Sequence, residues 1–560
     1  MTCEKRALRQ NQLWCSVIAC LVGLGILFRI VNLDQSVYWV DEVATSMRVS
    51  GYTHSEVTRS LMAQLDAGEP LNPPDLLQFQ QIRPDASWPN LLRVLSQSPE
   101  HAPLYFLLMR LWANGFGTSI AAMRSLSVVF SLLTLPTMAW ACSSLFRTER
   151  CARDPIPIHW TATGLLAISP YFVAYAQEAR PYSLWALLLL LVLGTLGRSL
   201  QGGQRIWWVA YALTLSLCLY TSLLTVLTVL GQGLAVLVLY PRRRAYLLAT
   251  GTALLALLPW AWIVLTHWQV LQSNTDWAQQ PMPLWAILGI WHYSLAVLFF
   301  DVPVAMGRPV ILGAQVIIAT GFVTLMGYAA YRIVRQRTAL GWLLVLGALS
   351  TPVALLLLDL VRSGQAAATP RYLMPAQLCL LLSVAYCLSD RLSAPVSHRW
   401  RGIAAVLLSV SLLSCLIGLT HDSNYQKSRN RSNPAITSQL NQVQQSQRDP
   451  EEAPIQLIAE VDHVQDLISL AYDLDPQIDI HILPPQRTAP EAATGAAANW
   501  LAEAISSDRP TFLFTPSESL KRTVRQSPVG KLRLVYAPVR LIPSELGLEL
   551  WRLEPKASPP

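Results

Sequence analysis

About eleven runs of mostly apolar residues punctuate this 560-residue chain, and no other feature constrains its fold as much. They lie near residues 13 to 33, 120 to 146, 160 to 176, 181 to 197, 207 to 221, 223 to 240, 247 to 267, 309 to 331, 339 to 360, 372 to 389 and 402 to 420. A helix of roughly 20 such residues crosses a hydrocarbon core, so the repeated runs exclude a single soluble domain and predict an all-α polytopic membrane protein. Composition agrees, with 52% hydrophobic and 14% charged residues. Ordinary soluble domains carry roughly 25% charged residues.

The net charge of +8 sits in short Lys and Arg clusters between the apolar runs. No aromatic-interleaved basic stripe accompanies them, which argues against a nucleic-acid partner. With a cytoplasmic N-terminus, the inside segments carry Lys5, Arg6 and Arg9, then Arg147, Arg150 and Arg153, then Arg198 and Arg205, and so on to Arg391, Arg399 and Arg401. That is the distribution the positive-inside rule requires of a multi-pass protein of the plasma (inner) membrane. An odd number of spans then places the C-terminal part outside. All nine cysteines fall in spans or on the inside, so no disulfide framework or CxxC metal site is expected.

Beyond His421 the composition turns polar. Residues 1–420 read as the membrane domain, 421–453 as a polar linker or helix, and 454–560 as a small extracytoplasmic α/β domain. In the last of these, IQLIAE, IDIHIL, TFLFT, KLRLVYAP and LGLELWRLE alternate with helix-like segments over 462–473, 491–507 and 517–526, the pattern of an at least partly parallel sheet. No glycine-rich phosphate loop follows the first strand.

Two outside segments are long, residues 34–119 and about 268–308, while the inside loops are short, which puts the chemistry outside. The first opens with NLDQSVYWVDEVATS, in which Asp41 and Glu42 form an adjacent acid pair among aromatic and aliphatic neighbours. One reading is a helix start that favours acids; the other is a general base whose partial desolvation raises its proton affinity. Spacing alone favours the first. Trp39 to Met47 and residues 87–98 (SWPNLLRVLSQS) suit interfacial helices, and the GEPLNPPDLLQFQQIRP passage between them reads as irregular. Glu100 and His101 precede Pro103, a helix starter, where backbone donors help bind an anion; simple capping with an exposed His is the alternative.

Arg124, Arg180 and Arg371 stand at the outer ends of spans, where the topology rule predicts few cations. Snorkelling explains such residues singly; several together suit an anionic ligand such as a phosphate. Tyr182 and Tyr372 stand beside them and also fit an aromatic belt. Glu178 suits a role orienting Arg180 or another Arg.

In this order, wDE after the first span, HxPLYFLLMRLW, Arg124, ISPYFVAYAQEARPYSL, LYTSLL and PRYLMP, the chain resembles the family 39 glycosyltransferases and their relatives of the GT-C superfold. Protein O-mannosyltransferases and lipid A aminoarabinose transferases belong to this group. The resemblance covers residues 13 to about 390, and more loosely the C-terminal domain. It implies a sugar transferred from a polyprenyl-monophosphate donor to an acceptor hydroxyl of a lipid, glycan or protein, with inversion and without a nucleotide sugar or cofactor. Asp41 matches the family's first-loop general base, and Glu42 its acidic neighbour. His101 would meet the donor phosphate, and Arg180 and Arg371 would stabilise the leaving phosphate.

The sequence also departs from the family. No later lumenal domain of the eukaryotic mannosyltransferase kind is found, and the first loop is long between Ser46 and Pro99. Some relatives bind a metal near the equivalents of Glu100 and His292, yet no ligand cluster is visible here, so no metal is expected. A polyprenyl-linked glycan or lipid flippase is the rival reading. It would place ionisable residues at the midplane and show repeated halves, and neither is seen.

Overall fold

The computed structural model describes residues 3–66, 71–147, 156–305, 307–336, 338–393, 398–420, 429–447, 453–484, 509–526, 530–538 and 547–555. The helix expected over 491–507, and Arg150, Cys151, Arg153 and Arg337, lie outside them. The chain forms two compact units, Met1–Leu33 with Leu95–Gln426, and Asp34–Val94 with Lys427–Pro560.

The larger unit is helical throughout. Among the described residues seven helices are long and apolar enough to cross a membrane: Gln12–Ile30, Ile120–Leu145, Tyr182–Gly202, Pro309–Arg335, Ala339–Arg362, Pro370–Ser393 and His398–Gly418. A pair bent by 48°, Arg243–Ala256 and Leu258–Thr266, is long and apolar enough only when taken together, as a broken span or a re-entrant loop. The runs near 207–221 and 223–240 become the shorter helices Arg205–Leu219 and Thr225–Leu239. Lipid-facing chemistry is evident on the long helices, where Val310, Ile317 and Val361 are exposed.

The run near 160–176 is broken in two, Ile158–Ala167 and Pro170–Ala176, because Pro170 cannot continue the ladder and restarts the helix at its first turn. The break leaves carbonyls of the first piece without helical partners. Arg29, wholly buried, supplies them: its Nη1 donates to Ala167 O at 2.5 Å and to Gly25 O at 2.7 Å, its Nη2 to Leu166 O at 2.9 Å, and its Nε to Ser131 Oγ at 2.9 Å. The first span meets the helix Ile158–Ala167 at Gly25, where an added Cβ would lie 2.3 Å from Ala167 O.

The smaller unit is built on a mixed five-stranded sheet of order β2-β1-β3-β5-β4, with β1 Gln456–Glu460, β2 Asp479–Leu483, β3 Thr511–Phe514, β4 Gly530–Tyr536 and β5 Leu550–Pro555. β1 pairs in parallel with β2 and β3, and β5 runs antiparallel to β3 and β4. Ile458, Leu483, Leu513, Leu520, Val524 and Leu553 form its core, with Trp551 packed on it. Helices Asn433–Ser446, Val464–Ala471 and Glu518–Gln526 complete the α/β part.

Residues 34–94 fold with this sheet. Ile480 of β2 donates to Leu71 O at 2.6 Å, an isolated bridge on the β2 side of the sheet. The proline-rich passage, expected to be irregular, contains the helix Pro73–Leu77 and the 3-10 turn Gln78–Gln80. A reciprocal cap explains this: Asn72 Oδ1 accepts from Asp75 N, and Asp75 Oδ2 accepts from Asn72 N at 2.8 Å, while the two prolines occupy the first helical turn where no amide is needed. The helices Val40–Ser50 and Trp88–Ser96 fall where interfacial helices were expected.

Candidate functional site

In the smaller unit, Asp41 and Glu42 occupy the first turn of the helix Val40–Ser50, with Trp39 as its extended N-cap. The helix-start reading of the acid pair is therefore correct locally. Acids recruited only for the helix dipole stay in water. Glu42, however, is 0% exposed and Asp41 is half-buried. Thr45 Oγ1 donates to Asp41 O at 2.9 Å, and the amides of Glu42 and Val43 donate to Trp39 O at 2.9 and 3.0 Å. Gly51 ends the helix in the left-handed region at φ +94°, which a glycine adopts without strain.

Trp39 offers no side-chain cap. The partner comes from far along the chain, since Val40 N donates to Asn430 Oδ1 at 3.0 Å. Asn430 is fixed in turn by Asp466, to whose Oδ1 its amide donates at 3.2 Å. Asp466 is wholly buried and accepts two bonds from Arg429, at 2.9 and 2.6 Å. Burial works to raise the Asp466 carboxyl, but Arg429 and then His463 hold it down at about 2. For Arg429, burial opposes the charge, and Asp466 and next Asp41 more than restore it, so that its affinity for the proton rises. Ser469 Oγ donates to Tyr38 O at 2.6 Å and accepts from Asn433 Nδ2 at 2.9 Å; Tyr38 and Tyr472 meet edge to face at 5.1 Å. The backbone before Asp41 is thus pinned to the helix Val464–Ala471. Sequence reasoning missed Arg429, Asn430 and Asp466, which look like ordinary polar residues of a linker and a short helix.

In the larger unit, the turn after Ala176 carries Glu178, 0% exposed, and Arg180, 4% exposed. Arg180 N donates to Glu178 O at 2.7 Å, and Ser127 Oγ to Arg180 O at 3.3 Å. A run of tyrosines follows, with ring centroids 4.8 Å apart for Tyr171 and Tyr175 and 4.9 Å apart for Tyr175 and Tyr182. The Arg180 guanidinium lies 5.8 Å from the Tyr182 ring centroid, and that of Arg371 at the same 5.8 Å from Tyr372. Tyr171 Oη donates to Pro370 O at 3.3 Å, joining this turn to the PRYL turn. Tyr175 lies within electrostatic reach of both Glu178 and Arg371. Glu178, Arg180, Tyr182, Arg371 and Tyr372 are thus brought into one neighbourhood. The PRYL turn is itself anchored, since Asp359 accepts from Ala366 N at 3.0 Å and Ala367 N at 2.6 Å just before it.

Arg124, also wholly buried, donates through Nη1 to Leu33 O at 2.7 Å. Glu100 accepts from Asn274 Nδ2 at 3.2 Å through each of its oxygens, and His101 Nε2 lies 3.7 Å from Glu100 Oε1. Leu104 N donates to Tyr220 O at 3.0 Å, which ties the HAPLY turn to the LYTSLL turn. Asn274, missed from sequence, comes from the tryptophan-rich second long segment. His292 pairs with Thr320, its Nε2 at 3.0 Å from Oγ1. Among the described residues no group of three or more His, Cys, Asp and Glu side chains could hold a metal ion.

Fold and residues define a polytopic membrane protein with a small α/β unit, a buried acidic helix start in one unit and a buried arginine and tyrosine cluster in the other. No family model matches the sequence, and no curated protein does. Among solved structures, the chain is similar to ArnT from Cupriavidus metallidurans in the apo state, at 13% identity and a TM-score of 0.48, over 96% of this chain and 98% of that one. It is similar to the same protein bound to undecaprenyl phosphate at 13% identity and a TM-score of 0.46, over 96% and 98% of the two chains. It is also similar to AglB, the oligosaccharyltransferase of Archaeoglobus fulgidus, in complex with an inhibitory peptide and a dolichol-phosphate, at 13% identity and a TM-score of 0.44, over 90% of this chain and 69% of that one. Likeness of this degree assigns no activity, and the reading of function rests on the residues.

Proposed function

We propose that this protein is an integral-membrane glycosyltransferase that moves a sugar from a polyprenyl monophosphate to an acceptor hydroxyl on the extracytoplasmic face. The observation that carries the reading is the acid pair. Asp41 and Glu42 are held in a pinned helical first turn, Glu42 buried and Asp41 half-buried, which a helix-start role alone does not call for. The order of motifs that surrounds them in sequence supports it.

The reaction is a single displacement. The Asp41 carboxylate accepts the acceptor's hydroxyl proton while that oxygen bonds to the anomeric carbon. The bond from the anomeric carbon to the phosphate oxygen breaks, its electron pair leaves with the polyprenyl phosphate, and the configuration inverts. Arg180 and Arg371, whose planar donor forks match phosphate oxygens, stabilise the charge that develops on the leaving group, with His101 as a further donor. Confinement of the lipid donor to the membrane plane lowers the entropic cost of bringing the reactants together.

Membranes carrying wild type or Asp41→Asn, offered a panel of labelled polyprenyl-phosphate sugars, test the reading. Wild type is expected to consume one of them and the variant to be slower by about a thousandfold or more. Equal rates in the two would remove Asp41 from its role. Movement of a lipid across the bilayer without sugar consumption would replace the enzyme with a flippase.

A further inference from the structure

Asn430 joins two things that sequence keeps far apart. Its amide oxygen accepts from Val40 N, the amide that opens the Asp41 helix, across a separation of 390 residues. Its amide nitrogen is held by Asp466, which is itself clamped by Arg429. An opening amide left without an acceptor loosens the first helical turn, and here the N-cap residue, Trp39, makes no side-chain cap. Arg429 adds a charge that senses Asp41 as well as Asp466. Neither residue is needed to hold the sheet together, since the core of the α/β part is the apolar cluster around Ile458 and Leu513.

We propose that Asn430 and Arg429 are positioning residues for Asp41: they fix the first turn of its helix from the start of the C-terminal segment, so that the α/β domain is part of the apparatus that orients the base. The inference rests on Asp41 being the base. It assigns the C-terminal domain a role in turnover, with the Arg429-Asp466 pair as the rigid mount and Asn430 as the arm.

The experiment uses the full-length protein with Asn430→Ala, Arg429→Gln, Arg429→Lys and Asp41→Asn. Each is measured for kcat, donor KM, unfolding midpoint and amide hydrogen exchange of the peptide spanning residues 40 to 46. Asn430→Ala is expected to exchange about tenfold faster in that peptide and to lose about tenfold in kcat, with donor KM within about twofold of wild type. Arg429→Gln should behave like it, and Arg429→Lys, which keeps the charge on Asp466, should recover most of the loss. Unchanged exchange in Asn430→Ala overturns the proposal, as does an unchanged kcat when Asp41→Asn is inactive. An active Asp41→Asn instead sinks the base assignment, and exchange alone then decides whether Asn430 holds the helix. If Asn430→Ala does not fold, the contrast between Arg429→Gln and Arg429→Lys decides the same question.

Discussion

The guanidinium of Arg29 caps the broken helix at Ala167, donating to its carbonyl at 2.5 Å and to that of Leu166 at 2.9 Å. A charge fully withdrawn from solvent is tolerated here because its donors all meet oxygens, two of them carbonyls at the end of the broken helix. Arg29→Met should therefore cost about 2–4 kcal/mol, the penalty for stranding buried carbonyls. Arg29→Lys, with a point charge in place of the fork, should cost about half as much. Thermal unfolding of the detergent-solubilised protein checks both; a Met variant that melts with wild type would show that the cap is dispensable.

Acid should weaken the smaller unit through Asp466. Its carboxyl sits at about 2 in the folded protein, below the usual aspartate range, because Arg429 and His463 outweigh the opposing effect of burial. A group whose folded value is depressed contributes stability that is complete above its unfolded value and vanishes as pH falls through the folded one. The window is thus from about pH 4 down to about pH 2, and the contribution is about 2 kcal/mol. Unfolding midpoints of wild type and Asp466→Asn, followed across that range, should differ most at neutral pH and approach each other toward pH 2. A gap that stays constant would mean the ion pair has no part in the acid response.

In the proposed transfer Arg180 and Arg371 stabilise the leaving phosphate. Arg180→Lys and Arg371→Lys keep the positive charge but lose the fork, so each should lower kcat by about 10–100-fold while leaving the unfolding midpoint close to that of wild type. The loss should be smaller for donors whose phosphate leaves more readily. Rates equal to wild type in both variants would point to another residue as the phosphate partner.

Much of the larger unit was legible because its signal is local. A run of apolar residues as long as Ile120–Leu145 has few alternatives to a helix, whereas the break at Pro170 inside the run near 160–176 was passed over. The strands of the smaller unit were legible for a similar reason, since β-branched and aromatic runs such as TFLF leave a buried strand as the economical choice. The helix in the proline-rich passage was missed because its warrant is one reciprocal cap, Asn72 with Asp75, and the prolines that seemed to forbid a helix sit where they start one. Arg29 gives no signal of its role in the sequence, because its partner carbonyl at Ala167 lies 138 residues away. For the site, Asp41 was singled out by the order of motifs around it and not by its neighbours, and the residues that hold its helix could not be. Asn430, Arg429 and Ser469 belong to composition that describes any polar linker, and only the fold brings them to Tyr38 and Val40.

The joining of residues 34–94 with the C-terminal segment has a consequence for how the molecule comes to life on the ribosome. The Val40 helix emerges early, and its hydrogen-bond acceptor is translated 390 residues later. Through those 390 residues of synthesis the acid-bearing loop therefore waits unfinished, while the membrane helices are made one after another. Chains that stall or misinsert in that interval never gain the Asn430 acceptor for the helix that carries Asp41. Contacts this distant in sequence also close slowly. The first turn of that helix is thus completed only in copies translated past Asn430, a timing that arises from chain connectivity alone.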